Sequence, residues 1–352
     1  MNITDLTLCV VSIFLAFVLL TALATYVLGA VDYLYNDKII SKGETFTLED
    51  TELRILGDNA IIVAGGTIHL NNVTVTSWNN TSQGPIEYPN HRGYIFIQRP
   101  DSDTSITNST LIALGYHENG TAEPNGLVYY DSLPNRQPQT HIIRNNNFTQ
   151  MFDGLFTKNF SNIVMENNIV ANSARYGIDP HTGSTDMIFR NNTVYNNPAF
   201  GIICSLDCKN ITIAANTVHD NGKGQIMLSR NTNDSVVIGN TVYGSNHSGI
   251  SVSESHSNSI KDNHLRLVKD GIDLKANASL NTVEGNRIED YERSGIRVLK
   301  NTTNNEIINN VVDIANQRDG HPVAINPGVR GSTVELNNTI VHPIRGPLGH
   351  DY

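Results

Sequence analysis

Short runs of alternating apolar and polar residues recur along this chain at a nearly constant interval. Nine Asn residues, each followed closely by Val, Ile, Leu or Phe, are separated by 21, 24, 24, 24, 23, 23, 24 and 28 positions: Asn147, Asn168, Asn192, Asn216, Asn240, Asn263, Asn286, Asn310 and Asn338. A second series, Gly followed by Leu or Ile, keeps the same interval: Gly154, Gly177, Gly201, Gly249, Gly271 and Gly295. Self-similarity at a fixed period of about 20–50 residues indicates a solenoid or array.

Each repeat contains strand and turn patterns. The segments GISVSES (249–255) and GIRVLKN (295–301) alternate apolar and polar residues, as a β-strand does. No run of ten residues has helical periodicity, which excludes helical repeats, and the Leu framework of leucine-rich repeats is absent. Coils of about 24 residues predict an all-β fold, a parallel β-helix, with Asn side chains stacked in a ladder. We expect about a dozen coils over residues 46–352, after a linker over 32–45.

The N-terminal segment has a different composition. Residues 6–31 contain no charged side chain, and that length fits a membrane-spanning helix better than a signal peptide. We therefore predict that residues 1–31 form a membrane anchor or signal segment, and we favour an uncleaved single-pass transmembrane helix. N-x-[S/T] sequons recur along the rest of the chain, which favours an extracytoplasmic glycoprotein; examples begin at Asn72, Asn80, Asn108, Asn119, Asn147, Asn191, Asn210, Asn246, Asn277 and Asn301.

Charge and cysteine content narrow the choice of partners. The 352-residue chain carries 24 Lys and Arg against 34 Asp and Glu, a net charge of −10, and no long basic run. Nucleic acid is therefore not an expected partner. Cys204 and Cys208 are the cysteines outside the apolar segment, and they could form a short disulfide or remain free thiols. The sequence predicts a monomer attached to the cell membrane through its N-terminal helix.

The repeat also predicts which side chains face outward. Counting from the repeat Gly, positions +1 and +3 are apolar and point inward, so +2 and +4 point outward. In the stretch YGIDPH (176–181), position +2 is Asp179, position +3 is Pro180 and position +4 is His181. Taken singly, an outward His is a solvated residue and an Asp-Pro pair is a turn. Tyr176, Asp179 and His181 close together on one face favour a functional site instead.

Cationic residues mark the same face. Alignment of the repeats places five of them along it: Lys158, His181, Arg230, Lys275 and Arg297. A cationic face on a negative protein needs an anionic partner. The rise of one coil, about 4.8 Å, is close to the length of one sugar unit. We therefore predict that an acidic polysaccharide binds here, through Lys158, Arg230, Lys275 and Arg297.

The stretch YGIDPHTGS (176–184), followed by IFRNNTVYNNPAFGIICS (188–205) and SGIRV (294–298), resembles the mannuronan C-5 epimerases that modify alginate. The likeness covers residues 140–300 and is greatest to the periplasmic type. The resemblance implies a right-handed parallel β-helix. It also implies an isomerase that inverts C5 of uronate residues in a polysaccharide, from the mannuronate to the guluronate type.

The resemblance further implies that Tyr176, Asp179 and His181 line the active site. Proton abstraction from C5 needs a base on one face of the sugar and an acid on the other. A His suits the base role, because the usual pKa of the imidazole is near neutrality, and Tyr176 or a water could be the acid. The developing charge on the substrate carboxylate must also be neutralised. A cation or a protonated Asp179 would do this.

Two positions depart from the family pattern and keep alternatives open. Leu206 stands where the periplasmic enzymes carry an Arg, and Ser205 stands about where the secreted enzymes carry an Asp. Arg230 or Lys158 could supply the missing group. A polyuronate lyase would use the same base, and a non-catalytic surface β-helix that binds acidic glycans would need none.

No metal site is predicted from the residues. Some epimerases of this family use calcium, so calcium is possible, but the sequence has no D-x-[DN]-x-[DN]-G loop. Asp101 and Asp103 are the weak candidates for calcium ligands.

Overall fold

A computed structural model describes residues 30–131, 139–314 and 320–341. The predicted anchor or signal segment lies outside these ranges except for its last two residues. Across the three described ranges, no helix is long and apolar enough to cross a membrane. The description that follows concerns the domain that begins at Val31.

The domain is an all-β solenoid in which strands stack in three parallel columns, here called the first, second and third faces. The first face contains β2 Lys38–Ser41, β5 Ala60–Ala64, β9 Tyr94–Ile97, β12 Gly126–Tyr130, β15 Asp153–Lys158, β18 Ile178–His181, β21 Phe200–Ser205, β24 Gly224–Ser229 and β33 His321–Ile325. The second face contains β1 Val31–Leu34, β4 Glu52–Leu56, β7 Thr74–Asn79, β11 Thr110–Ile112, β14 Asn147–Thr149, β17 Ile169–Ala171, β20 Thr193–Tyr195, β23 Thr217–His219, β32 Val311–Asp313 and β35 Thr339–Val341.

The third face contains β3 Thr45–Glu49, β6 Thr67–Asn71, β10 Asp103–Thr107, β13 His141–Arg144, β16 Ile163–Glu166, β19 Thr185–Arg190, β22 Lys209–Ala214, β25 Val236–Ile238, β27 Ser259–Lys261, β29 Thr282–Glu284, β31 Glu306–Ile308 and β34 Val334–Leu336. Three long strands run through both the second and the first face: β26 Thr241–Ser253, β28 His264–Lys275 and β30 Arg287–Val298. The remaining elements are β8 Gly84–Pro85, antiparallel to β7, and the 3₁₀ helix η1 Pro327–Ser332. The twelve strands of the third face correspond to the dozen coils predicted.

The solenoid begins earlier than the sequence pattern predicted. Residues 32–45, expected to be a linker, contain most of β1, all of β2 and the first residue of β3. β1 pairs in parallel with β4, and β2 pairs with β5. Ile40 is buried against the core. These residues form strands because the next coil offers them a parallel partner, although their own repeat pattern is weak.

The inward positions of the repeat form one continuous apolar core. Position +1 of the first face stacks the same residue type coil upon coil, with every side chain fully buried: Ile178, Ile202, Ile226, Ile250, Ile272 and Ile296. Burying one such side chain stabilises the fold by about 1.5–3 kcal/mol. The predicted inward alternation is therefore confirmed for this face.

A ladder of Asn side chains runs beside the core, with one correction to the predicted register. Asn168 Oδ1 accepts hydrogen bonds from the Nδ2 and backbone N–H groups of Asn146, both at 2.9 Å. Asn147, the residue predicted for this position, is exposed on β14. The ladder continues through Asn192, Asn216, Asn240, Asn263, Asn286, Asn310 and Asn338. Asn146 takes the place because the residue before each ladder position is left-handed, and here that residue is Asn145, with φ 58°.

This left-handed corner explains much of the Asn content. The residue before the ladder has positive φ in every coil from Asn145 to Asn337. Asn, Asp and Gly tolerate this conformation better than other residues. The sequon residue Asn191, with φ 55°, is one of these corner residues. Some sequons therefore have a structural reason to contain Asn, and glycosylation stays a prediction.

Candidate active site

The predicted columns of outward residues form on the first face. His181 pairs with Lys158 on the preceding coil and with Ser205 on the following one. Asp179 pairs with Phe156. The repeat therefore placed these side chains in the correct register.

Asp179 differs from the prediction in its exposure. Its side chain points away from the core, as expected, but only 1% of the residue is accessible to solvent. Its neighbour on the preceding coil, Phe156, belongs to a second apolar cluster with Phe96 and Val128. An outward position on the first face is therefore not necessarily an exposed one.

Asp179 belongs to an ion-pair network that the sequence analysis missed. Arg175 binds the fully buried Asp153 through both ends of its guanidinium, with Nε to Oδ1 at 3.0 Å and Nη2 to Oδ2. The same Nη2 lies 3.9 Å from Asp179 Oδ2. The backbone N–H of Tyr176 also donates to Asp153 Oδ1 at 3.1 Å.

The two carboxyl groups are held differently. Burial raises the pKa of both Asp153 and Asp179, and the charge of Arg175 lowers each of them in part. Asp153 accepts the bidentate hydrogen bonds from that guanidinium, whereas Asp179 Oδ1 has no hydrogen-bond partner among the described residues. Burial and the charge of Asp153 therefore raise the pKa of Asp179 well above its usual range. This favours a protonated Asp179 beside an ionised Asp153.

His181 is held neutral by its surroundings. Its Nδ1 lies 2.7 Å from Thr182 Oγ1, and its ring lies 5.6 Å from that of Phe156. Burial and the nearby cations Arg230, Arg175 and Lys158 lower the pKa of His181 to about 4. At neutral pH the imidazole is therefore unprotonated and can accept a proton.

The structure brings three of the other predicted residues near this centre. Tyr176 precedes Asp179, and burial together with the charge of Asp179 raises the pKa of Tyr176. Arg230 is close enough to act on the pKa values of Tyr176, Asp179 and His181. Lys158 Nζ lies 4.8 Å from the centre of the Tyr130 ring, one coil before His181.

Lys275 and Arg297 lie further along the first face, and each contacts a carboxylate. Lys275 is on β28 and Arg297 is on β30, four and five coils beyond Asp179. Arg297 donates to Asp273 at 3.0 Å, and Lys275 Nζ lies 3.4 Å from the same carboxylate. Asp273 and Arg297 are neighbours in the +2 column, on adjacent coils. Their ion pair therefore forms between coils and not within one strand.

Cys204 and Cys208 are both buried free thiols, so the disulfide left open by the sequence is absent. Cys204 is a core residue, and the Cys208 thiol donates to the carbonyls of Ser205 and Pro180 at 3.3 and 3.5 Å. Burial raises the pKa of Cys208 to about 12. Neither thiol has the exposed, acidic character of a nucleophile.

The described residues contain no group of three or more His, Cys, Asp or Glu side chains placed to hold a metal ion. Asp101 binds Arg99 at 2.7 Å, and Asp103 lies 3.8 Å from His69. The two weak candidates are thus engaged with basic side chains.

Asp153 and Arg175 had a signal in the sequence. Asp-Gly followed by Leu or Ile occurs at 153–155 and again at 270–272, and an Arg follows 22 or 23 residues after each Asp. The repeat predicts outward and inward positions only within the strands. Asp153 is the first residue of β15, and Arg175 precedes β18, so alternation does not predict where their side chains point.

The stacked columns of parallel strands define the class of protein as a β-helix. The sequence matches the family model described as right handed beta helix region over residues 30–218 and 183–312. The chain belongs to this family, and its helix is right-handed.

Particular relatives are alginate-modifying enzymes. The chain is 25% identical over 146 residues to the mannuronan C5-epimerase of Pseudomonas fluorescens, a match that covers 39% of this chain and 27% of that protein. The crystal structure of the periplasmic alginate epimerase AlgG has a similar fold, with a TM-score of 0.79, 22% identity and coverage of 89% of this chain and 78% of that one. A point mutant of AlgG gives a TM-score of 0.81, 21% identity and coverage of 91% and 80%. The resemblance predicted from YGIDPH is confirmed.

Proposed function

We propose that this protein is a polysaccharide C-5 epimerase that acts on uronate residues of the alginate type. The observation that carries the proposal is a neutral His181 set beside the buried carboxyl of Asp179 and surrounded by cations. A base of this kind can take a proton from C5, and the surrounding charges suit a substrate that carries one carboxylate per sugar. The similarity to mannuronan C-5 epimerases supports the choice of sugar.

Proton abstraction falls to His181. In the tautomer whose Nδ1–H donates to Thr182 Oγ1, the Nε2 lone pair is available as the base. Nε2 takes H5, and the electron pair of the C5–H bond moves into the adjacent carboxylate as an enolate develops. A bound uronate opposes the cations around His181 and raises its pKa, which makes the imidazole a stronger base in the complex.

The developing charge needs a donor aimed at the carboxylate oxygens. A protonated Asp179 can donate such a hydrogen bond, and Arg230 can add a positive charge. Asp179 and Arg230 would take the role of the Arg that the periplasmic enzymes carry at the position of Leu206. The phenol of Tyr176, or a water, then returns a proton to C5 from the opposite face and regains its own from solvent.

The function is tested by incubating the full-length chain with mannuronan in deuterated water and following H5 by proton NMR. An epimerase exchanges H5 for deuterium and converts mannuronate to guluronate without shortening the polymer. A lyase instead breaks the C4–O bond and forms unsaturated ends that absorb ultraviolet light. Binding without either change would identify a non-catalytic glycan-binding protein and overturn the proposal.

The acid limb of the pH profile reports on His181. We expect kcat/KM, which reflects the free enzyme, to fall only as pH drops towards about 4, because the neutral form is lost there. Since Arg230 helps to lower this pKa, Arg230→Gln should move the limb to higher pH. Arg330→Gln, in η1, serves as the control and should leave the limb in place. An Arg230→Gln limb that moves to lower pH contradicts the assignment.

We also propose that the domain acts outside the cytoplasm, held by the apolar segment over 6–31. The density of sequons supports this location, as does the likeness to a protein described as periplasmic. Protease accessibility of the domain in spheroplasts with an intact cytoplasmic membrane, compared with lysed cells, would test it. Protection in the spheroplasts would contradict a location outside the cytoplasm.

A further inference from the structure

A charged cavity lies on the first face, beyond the candidate active site. It has a volume of about 210 Å³ and begins at Phe200, whose ring stacks on that of Tyr176 with centroids 6.5 Å apart. Its far end is at Arg293 and Arg297. Asp273 stands four coils beyond Asp179 in the +2 column, which corresponds to about 19 Å at the usual strand spacing.

This cavity repeats part of the candidate active site. Arg293 binds Asp270 through both ends of its guanidinium, with Nε to Oδ1 at 2.9 Å, just as Arg175 binds Asp153 with Nε to Oδ1 at 3.0 Å. In both places the Asp directly precedes the repeat Gly and the Arg comes from the next coil.

The two places differ at the positions that would do chemistry. Where the first has Asp179 at +2, the second has Arg297, and where the first has His181 at +4, the second has Leu299. The cavity therefore keeps the scaffold of the candidate active site but has no base at the matching position. That combination suits binding rather than proton transfer.

The charge of the cavity favours an anion. Its lining contains the carboxylates Asp270 and Asp273 against five cationic side chains, a net charge of +3 with His247 neutral: Lys223, Lys269, Lys275, Arg293 and Arg297. Arg293, Arg297 and Lys275 already contact the two carboxylates. Among the described residues, Lys223 and Lys269 form no ion pair, so their charge is left for a ligand.

A hydroxyl in the same cavity also lacks a partner. Ser251 is 2% exposed, and its Oγ makes no hydrogen bond within the described residues. It stands next to Asp273 in the +2 column. A buried hydroxyl of this kind gains stability from a polar ligand group that reaches it.

We propose that this cavity is a distal subsite that binds carboxylates of the same polyuronate chain whose reacting sugar lies at His181. The proposal rests on the proposed function for its choice of polymer. Between the two places, the +2 column carries Ile203 and Met227, and the +4 column carries Ser229. Apolar and hydroxyl groups side by side suit the faces and edges of sugar rings. A chain that fills both places spans about five sugar units, because four coil rises separate Asp179 from Asp273.

The test compares substrates of different length on the full-length chain. Lys269→Ala, which removes a lysine four coils beyond His181, should raise KM for long oligouronates by up to about fivefold, since one lost charge contact contributes up to about 1 kcal/mol. It should leave kcat unchanged, and KM for trimers, which are too short to reach Lys269 from His181, should not change. The variant should also weaken the dependence of KM on salt.

A matched control removes the same charge elsewhere. Lys42→Ala changes an exposed lysine outside the cavity and should leave KM for long and short substrates unchanged. Equal effects of the cavity variant on trimers and long oligomers, or no effect on either, would overturn the subsite. Equilibrium binding of long oligouronates to the same variants gives a second readout that needs no turnover. A loss of binding in the cavity variant with no turnover by the wild type would refute the epimerase and support the subsite.

Discussion

His181→Ala is expected to reduce H5 exchange by about 10²- to 10⁴-fold, the usual contribution of a positioned base. His181 is the neutral imidazole beside Asp179, and the cations Arg230, Arg175 and Lys158 lie close enough to lower its pKa. Its removal leaves solvent as the base, while the cations that attract the polymer remain. Polymer binding should therefore persist while exchange is lost. The measurement is deuterium incorporation at C5 by proton NMR, alongside equilibrium binding of the polymer.

A matched His variant separates this effect from a general loss of structure. His256 is half-buried and its Nδ1 lies 2.7 Å from Ser279 Oγ, much as that of His181 lies beside Thr182. It is not on the first face, so His256→Ala should retain normal exchange. If His181→Ala keeps wild-type exchange, His181 is not the base. If both variants lose exchange together with thermal stability, the loss is structural.

Asn216→Ala is expected to lower the free energy of unfolding by about 3 kcal/mol, because it leaves several buried polar groups without partners. Asn216 is 1% exposed. Its Nδ2 donates to the Phe189 carbonyl at 2.9 Å and to Asn240 Oδ1 at 3.0 Å. Its Oδ1 accepts from the backbone N–H and Nδ2 of Asn192 at 2.9 and 3.0 Å. Each lost partner is in the apolar interior, where water cannot replace it easily.

The urea midpoint of unfolding measures this loss, and Asn147 provides the comparison. Asn147 is exposed on β14, next in sequence to the ladder residue Asn146. Asn147→Ala should change the free energy of unfolding by no more than about 0.5 kcal/mol, as surface substitutions usually do. A similar small change for Asn216→Ala would show that the ladder contributes little to stability.

The repeat made the register of the site predictable. Alternation along a strand and a constant coil length are local properties, so they can be recognised in one sequence. They correctly placed His181 between Lys158 and Ser205. They also placed Asp179 on the outside of the helix. The motif around these residues then indicated the chemistry.

Other features depend on side chains that meet from different coils. The sequence indicated that Asp179 faces outward, but its 1% exposure depends on side chains of neighbouring coils, such as Phe156. The Asn ladder begins at Asn146 because the left-handed corner, rather than the strand pattern, sets its register. Both depend on which atoms lie above and below in the stack.

By itself, the sequence determined the all-β solenoid, the coil length and the face that carries Tyr176, Asp179 and His181. Periodic burial of apolar residues requires these features, whatever the detailed packing. Only the tertiary structure decided that Arg175 neutralises Asp153, leaving Asp179 the carboxyl without a full partner. It likewise decided that Arg297 and Lys275 share Asp273. Charge pairing depends on the distances between side chains of adjacent coils, and alternation along a single strand does not specify those distances.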